Sequence, residues 1–148
     1  MQQDMVANAI VVATTVAVVA LAVMLHYEGL SALSKRRPSN DAQLGHRGVV
    51  VVVLWLFALH VAEIWLFGLA YWMLVAKLGL GGISGSTDTG LLEAVYLSAT
   101  TYSTVGFGDV APTGPIRFLA GTEALVGLMM ITWSASYTYL EMSRRWRD

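Results

Sequence analysis

The sequence has no cysteine. That removes disulfide frameworks, thiolate metal sites and thiol nucleophiles from consideration. Charge is scarce as well: 13% of the 148 residues are Asp, Glu, Lys or Arg, against about a quarter in a typical soluble domain. The formal net charge is −1, so no basic stripe exists to neutralise phosphates and nucleic acid is not an expected partner. GxGxxG, GKS and HExxH are all missing, and strands do not alternate with helices. No nucleophile is paired with a base and no metal-ligand cluster is visible along the chain, so it does not read as an enzyme and needs no cofactor. Finally, no Lys or Arg precedes Lys35. The N-terminus therefore lacks the basic region of a signal peptide, and its apolar stretch reads as a retained span.

What remains is strongly apolar. Hydrophobic residues make up 56% of the chain, gathered in blocks rather than spread at core spacing, which points to lipid as the solvent. The first block, Met5 to Leu25, carries no charge and as a helix is roughly 31 Å long, enough to cross a hydrocarbon core. The second runs from Val49 to Ala76 and the third from Ile116 to Leu140. The expected fold is an all-α membrane protein with three transmembrane helices. Lys35, Arg36, Arg37 and Arg47 lie between the first two blocks, and Arg144, Arg145 and Arg147 follow the third. The positive-inside rule puts both groups in the cytoplasm and the N-terminus outside.

Between the second and third spans the pattern changes. Gly79 to Asp88 is rich in Gly and Ser and reads as a flexible polar loop. Residues 89–103 have a helical pattern, with Asp88 or Thr89 as the N-cap and Glu93 in the first turns. As a helix this stretch is about 22 Å long, too short to span. Gly106-Phe107-Gly108-Asp109 follows at once, and Pro115 suits the first turn of the third span. A short helix followed by non-helical backbone is tolerated at membrane depth only when buried in protein or lining a water-filled path. Gly106 and Gly108 can take positive φ, which a row of carbonyls aimed at one axis needs. Such carbonyls can replace the water shell of a cation.

Thr104-Val105-Gly106-Phe107-Gly108-Asp109 resembles the signature of the pore-loop potassium channel superfamily. The order of outer helix, short helix, loop and inner helix resembles it too, over about residues 49–142. The resemblance implies a small two-span pore module preceded by one extra helix and assembled as a homotetramer in the plasma membrane. Its divisions would be the N-terminal helix (1–34), a cytoplasmic loop (35–48), an outer helix (49–76), a pore helix (89–103), a filter (104–109), an inner helix (115–141) and a short basic tail (143–148). Thr104, Val105, Gly106 and Phe107 would offer carbonyls to K⁺, with the Thr104 hydroxyl at the inner end, Gly108 completing the filter and Asp109 bracing its outer mouth. Where many members carry tyrosine this chain has Phe107, so one hydroxyl tie is absent. Tyr96 and Tyr102 read first as packing residues.

Other residues carry two readings each. His60 and Glu63 are three apart and share a helix face. With Glu123 they are ionisable groups at membrane depth, either titrating gating elements or hydrogen-bonded braces. Gly127 is a hinge candidate, or part of a small-residue face with Ala120, Gly121 and Ala124. Trp133, Tyr137 and Tyr139 form an interfacial belt or narrow the lower pore. The first helix reads as peripheral packing or subunit contact. Nothing identifies a gating stimulus, and a separate regulatory partner stays open. So do a less selective cation channel, a potassium uptake subunit and a non-conducting regulatory subunit.

Overall fold

The computed structural model of the chain describes residues 2–35, 45–85 and 90–145. Helix α1 (Gln2–Lys35) crosses the structure first. Helix α2 (Gly45–Trp72) follows and ends in a π-helical turn, Met73–Lys77. Strand β1 (Gly82–Ser84) precedes the short helix α3 (Leu91–Tyr102). Strand β2 (Ala111–Thr113), a 3₁₀ turn (Gly114–Ile116) and helix α4 (Arg117–Arg145) complete the chain. Three stretches, Gln2–Lys35, Gly48–Lys77 and Gly114–Ser143, are long and apolar enough to cross a membrane. The 34 residues of α1 make a rod about 51 Å long, longer than the hydrocarbon core alone.

Helices α2 and α4 pack around α3. Phe67 and Tyr71 of α2 and Leu74 of the π-helical turn meet Leu97 and Tyr102 of α3 and Leu119 of α4 in one buried cluster. Helix α1 joins through one face, on which Val11, Thr15, Val18, Ala22, His26 and Gly29 are buried at intervals of three or four residues. The close approach depends on small residues. A Cβ on Gly29 would lie 2.6 Å from Leu59 Cδ2 and one on Gly68 would lie 2.6 Å from Val95 Cγ2. Trp55 Nε1 donates to the carbonyl of Gly29 at 3.1 Å, fixing α1 to α2 at the same level.

Several sequence expectations change. The connector expected over residues 35–48 is shorter, because α1 continues helically to Lys35 and α2 already starts at Gly45. Helical backbone satisfies itself in water as well as in lipid, so apolarity does not set its ends. Arg36, Arg37, Asp88, Thr89 and Arg147 lie outside the described residues. The cap of α3 is Gly90, in extended backbone and without a side-chain cap. The glycine-rich segment expected to be a flexible loop is ordered over residues 79–85. There β1 pairs antiparallel with β2, in the register Gly82↔Thr113, Ile83↔Pro112 and Ser84↔Ala111. Neither strand shows in the sequence, since three residues are too few to carry a period of two.

At Gly127 the backbone of α4 comes close to the end of α3. A Cβ there would sit 2.1 Å from the carbonyl oxygen of Tyr102, and α4 is continuous through it. Gly127→Ala should therefore lower stability by about 1–3 kcal/mol through overpacking. Thermal unfolding in detergent measures this, and a variant as stable as the parent would show that the two backbones separate freely.

Candidate functional site

The loop that follows α3 has an unusual backbone. Thr104 (φ 58°), Gly106 (φ 50°) and Gly108 (φ 83°) all have positive φ, whereas Val105 and Phe107 do not. Thr104 is the one non-glycine residue in this region among the described residues, and such conformations are sparsely populated because of steric strain. In a regular strand successive peptides face opposite ways. An alternation of handedness residue by residue lets neighbouring peptide dipoles turn to one side instead. The amide of Thr104 donates to the carbonyl of Thr101 at 3.0 Å and that of Gly106 to Thr100 at 3.1 Å. The loop is thus folded onto the carboxyl end of α3, the negative end of its dipole.

Beyond the loop, Asp109 is gripped from α3. Tyr96 donates its hydroxyl to Asp109 Oδ2 at 2.6 Å, and the amide of Val110 donates to Oδ1 at 3.1 Å. The Tyr96 hydroxyl holds the Asp109 carboxyl below the usual carboxylate range, and the same bond raises the Tyr96 phenol. The β1–β2 pair lies against the Asp109 backbone. Gly85 (φ 91°) comes so near that a Cβ would lie 1.9 Å from the Asp109 carbonyl oxygen. Ser84 Oγ donates to Ala111 O at 3.1 Å, and Thr113 Oγ1 to Gly82 O at 3.0 Å. The exit of the loop is therefore held between α3 and a two-stranded ribbon.

Two buried polar clusters lie behind it. In the first, Glu63 of α2 takes His26 Nδ1 of α1 at 2.8 Å and His60 Nδ1 at 3.1 Å. Tyr102 of α3 donates its hydroxyl to the same carboxylate and lies 2.9 Å from His60 Nδ1. His26 Nε2 reaches Ser134 Oγ of α4 at 3.4 Å, and the His26 ring lies 5.2 Å from that of Trp133. In the second cluster Glu123 of α4 accepts from Tyr71 of α2 at 2.6 Å and from Ser98 of α3 at 2.5 Å. Ser98 Oγ also lies 2.8 Å from Ile64 O. Glu63 and Glu123 are both fully buried. No buried side-chain nitrogen or oxygen lacks a hydrogen-bond partner among the described residues, as groups without access to water require.

A sequence family described as "Ion channel" matches residues 49–141, which runs from α2 through the loop to α4. The chain belongs to this ion channel family. It is a multi-pass membrane protein and not an enzyme. Protein LctB of Geobacillus stearothermophilus is 37% identical to this channel over 62 residues, covering 42% of its chain and 46% of the relative. Protein LctB of Bacillus caldotenax is 40% identical over 55 residues, covering 37% and 41%. The channel thus spans less than half the length of the curated relatives it matches. No solved structure matches it. Helix α1 precedes the matched residues.

The sequence-predicted residues fall in four places in this channel. Thr104 to Gly108 form the exposed loop, with Asp109 anchored at its exit. His60 and Glu63 do share a face and touch, while Glu123 stands in a separate cluster. Gly127 packs on the end of α3. Sequence reasoning passed over His26, Tyr71, Ser98 and Ser134, and it took Tyr96 and Tyr102 for packing residues, although both hydroxyls bind carboxylates. It also found no metal-ligand cluster, whereas His26, His60 and Glu63 converge. The one signal available was His26 itself, an ionisable residue near the end of an otherwise uncharged apolar block, where isolation in lipid implies a partner. The Tyr137 hydroxyl lies 3.3 Å from Ser34 Oγ of α1.

Two outcomes follow. Because its folded pKa is depressed, Asp109 contributes stability above the ordinary carboxylate pKa of about 3.9, lost as pH falls through the lower folded value. Tyr96→Phe should raise the Asp109 pKa toward ordinary, read by carboxyl-carbon NMR titration. An unmoved titration would mean that the phenol does not hold the carboxylate. Ser98→Ala strips Glu123 of one of its two hydroxyl donors and should cost about 1–3 kcal/mol in unfolding free energy, whereas Ser136→Ala, on an exposed face of α4, should cost far less.

Proposed function

We propose that this chain is a subunit of a potassium-selective channel and that four identical copies surround one conduction path. Carbonyls of Thr104, Val105, Gly106 and Phe107 then line the axis and replace the hydration shell of K⁺. The Thr104 hydroxyl serves the inner end, Gly108 completes the turn, and Asp109 holds the outer mouth through Tyr96. The observation that carries this reading is the Thr-Val-Gly-Phe-Gly-Asp loop, whose backbone handedness alternates at Thr104, Gly106 and Gly108 and which hangs from a helix too short to span.

Assembly is supported by what a single chain leaves uncovered. Val105 is 55% and Phe107 72% exposed, although both are apolar and sit beside strained backbone. On α4, Leu125, Leu128 and Met129 are exposed along one face. Neighbouring copies would cover the first pair and leave part of the second facing a central cavity. The negative ends of four α3 helices would converge below the loops, where they favour a cation. The basic residues flanking the spans support an orientation with the N-terminus outside and the C-terminus in the cytoplasm.

Purified protein in liposomes tests the reading. K⁺ efflux blocked by barium and not supported by Na⁺ is expected, from a particle of four chains by light scattering in detergent. Gly106→Ala places a Cβ at φ 50°, a strain of about 1–2 kcal/mol per chain, and should abolish selective flux. Equal Na⁺ and K⁺ flux in the parent would favour a less selective channel. No flux at all would favour a non-conducting subunit.

A further inference from the structure

Apart from the loop, His and carboxylate ligating atoms converge around Glu63 among the described residues. We propose that His26, His60, Glu63 and Tyr102 form a site for a divalent transition-metal ion of the zinc class, built between α1, α2 and α3. The proposal rests on this cluster alone and holds whichever cation the pore selects.

The ligating atoms of His26, His60 and Glu63 all lie within 4.8 Å of one another. Neighbouring contacts are 2.8 Å from His26 Nδ1 to Glu63, 3.1 Å from His60 Nδ1 to Glu63 and 2.9 Å from His60 Nδ1 to the Tyr102 hydroxyl. Ligands about 2.0–2.1 Å from a tetrahedral zinc stand about 3.3 Å apart, so these three contacts would open by a few tenths of an ångström while the widest pair, within 4.8 Å, draws in. The hydrogen bonds that join the imidazoles to Glu63 occupy the places an ion would take, and on binding the Nδ1 proton of each neutral imidazole shifts to Nε2, freeing the Nδ1 lone pair for the ion.

The donor set decides the class of metal. Two imidazoles and a carboxylate suit zinc, cobalt, nickel or copper, while calcium and magnesium ask for six or more oxygens. The surroundings fit as well. With His26 ligating through Nδ1, its Nε2–H faces Ser134 Oγ at 3.4 Å, the outer contact that orients most metal-bound histidines. His26 and Glu63 are fully buried, whereas the His60 side chain is 18% exposed and gives an ion its approach. Occupation would tie α1 to α3, the helix that carries the loop.

The composition makes the test clean. There is no cysteine, and the chain has three histidines in all, His46 being the third. The full chain in detergent is titrated with Co²⁺ and then Zn²⁺. The parent should bind one Co²⁺ per chain with the visible d–d absorption of a low-symmetry site, bleached by Zn²⁺, and Zn²⁺ should raise its unfolding midpoint. His26→Ala and His60→Ala should lose the absorption, Ser134→Ala should bind about tenfold more weakly, and His46→Ala should match the parent. A parent with no d–d absorption overturns the site. So does a double variant of His26 and His60 that assembles normally yet absorbs unchanged, or absorption that His46→Ala removes, which marks an adventitious ion only. Should His26→Ala fail to assemble, the parent spectrum and the partly exposed His60 decide.

Discussion

The structure of this channel depends on holding a short helix, α3, and the glycine loop after it against the long helices. Backbone beyond the end of α3 cannot hydrogen-bond to itself as a helix does, and hydrocarbon offers no alternative partner. The fold meets this constraint by surrounding α3 with α2 and α4 and stationing polar side chains where the helices touch. Ser98 joins α3 to Glu123, Tyr102 joins it to Glu63, and Tyr96 holds Asp109 beyond the loop. Three residues of one 12-residue helix thus reach three carboxylates, two of them on different long helices and one past the loop. Rotating or sliding α3 would break all three bonds together, leaving buried carboxylates short of donors. That is far costlier than the bonds are individually worth.

The same logic explains why ionisable residues occur inside apolar spans. Glu63 and Glu123 would each be expensive alone at membrane depth. Each instead accepts from at least two groups on other elements. Apolar contact in lipid is weakly discriminating, because one aliphatic surface is as well solvated by lipid chains as by another helix. Polar bonds and close glycine contacts choose the register instead. Gly127 lets the α4 backbone meet the end of α3, and Gly85 lets β1 close over the Asp109 carbonyl. Helix α1 lies outside the residues matched by the channel family, yet it is drawn into the same scheme through His26 and Trp55. It is not merely a peripheral layer.

Much of the architecture was legible along the chain. Long uncharged runs announce membrane helices, and the length of residues 89–103 announces a helix that cannot cross. Gly106 and Gly108 announce a loop that leaves the helical path, and both take the positive φ that glycine permits. His60 and Glu63 could be paired from their spacing, since i and i+3 share a face on any α-helix. The short strands, the Gly90 cap and the true ends of α1 and α2 were not legible. Three-residue strands lack periodicity, and helix ends in polar surroundings are set by local backbone bonding rather than by apolarity.

By itself the sequence determined that lipid is the solvent, that three segments span, and that a glycine loop interrupts them. These follow from composition and local repeat, which need no knowledge of neighbours. Only the tertiary structure decided that His26, 37 residues before Glu63, completes its shell. It alone decided that Tyr96 and Tyr102 bind carboxylates rather than merely pack, and that Gly127 is a point of backbone contact. Those outcomes depend on the rotation of each helix about its axis. An apolar segment in an apolar solvent carries almost no record of that angle until the few polar groups on it meet their partners.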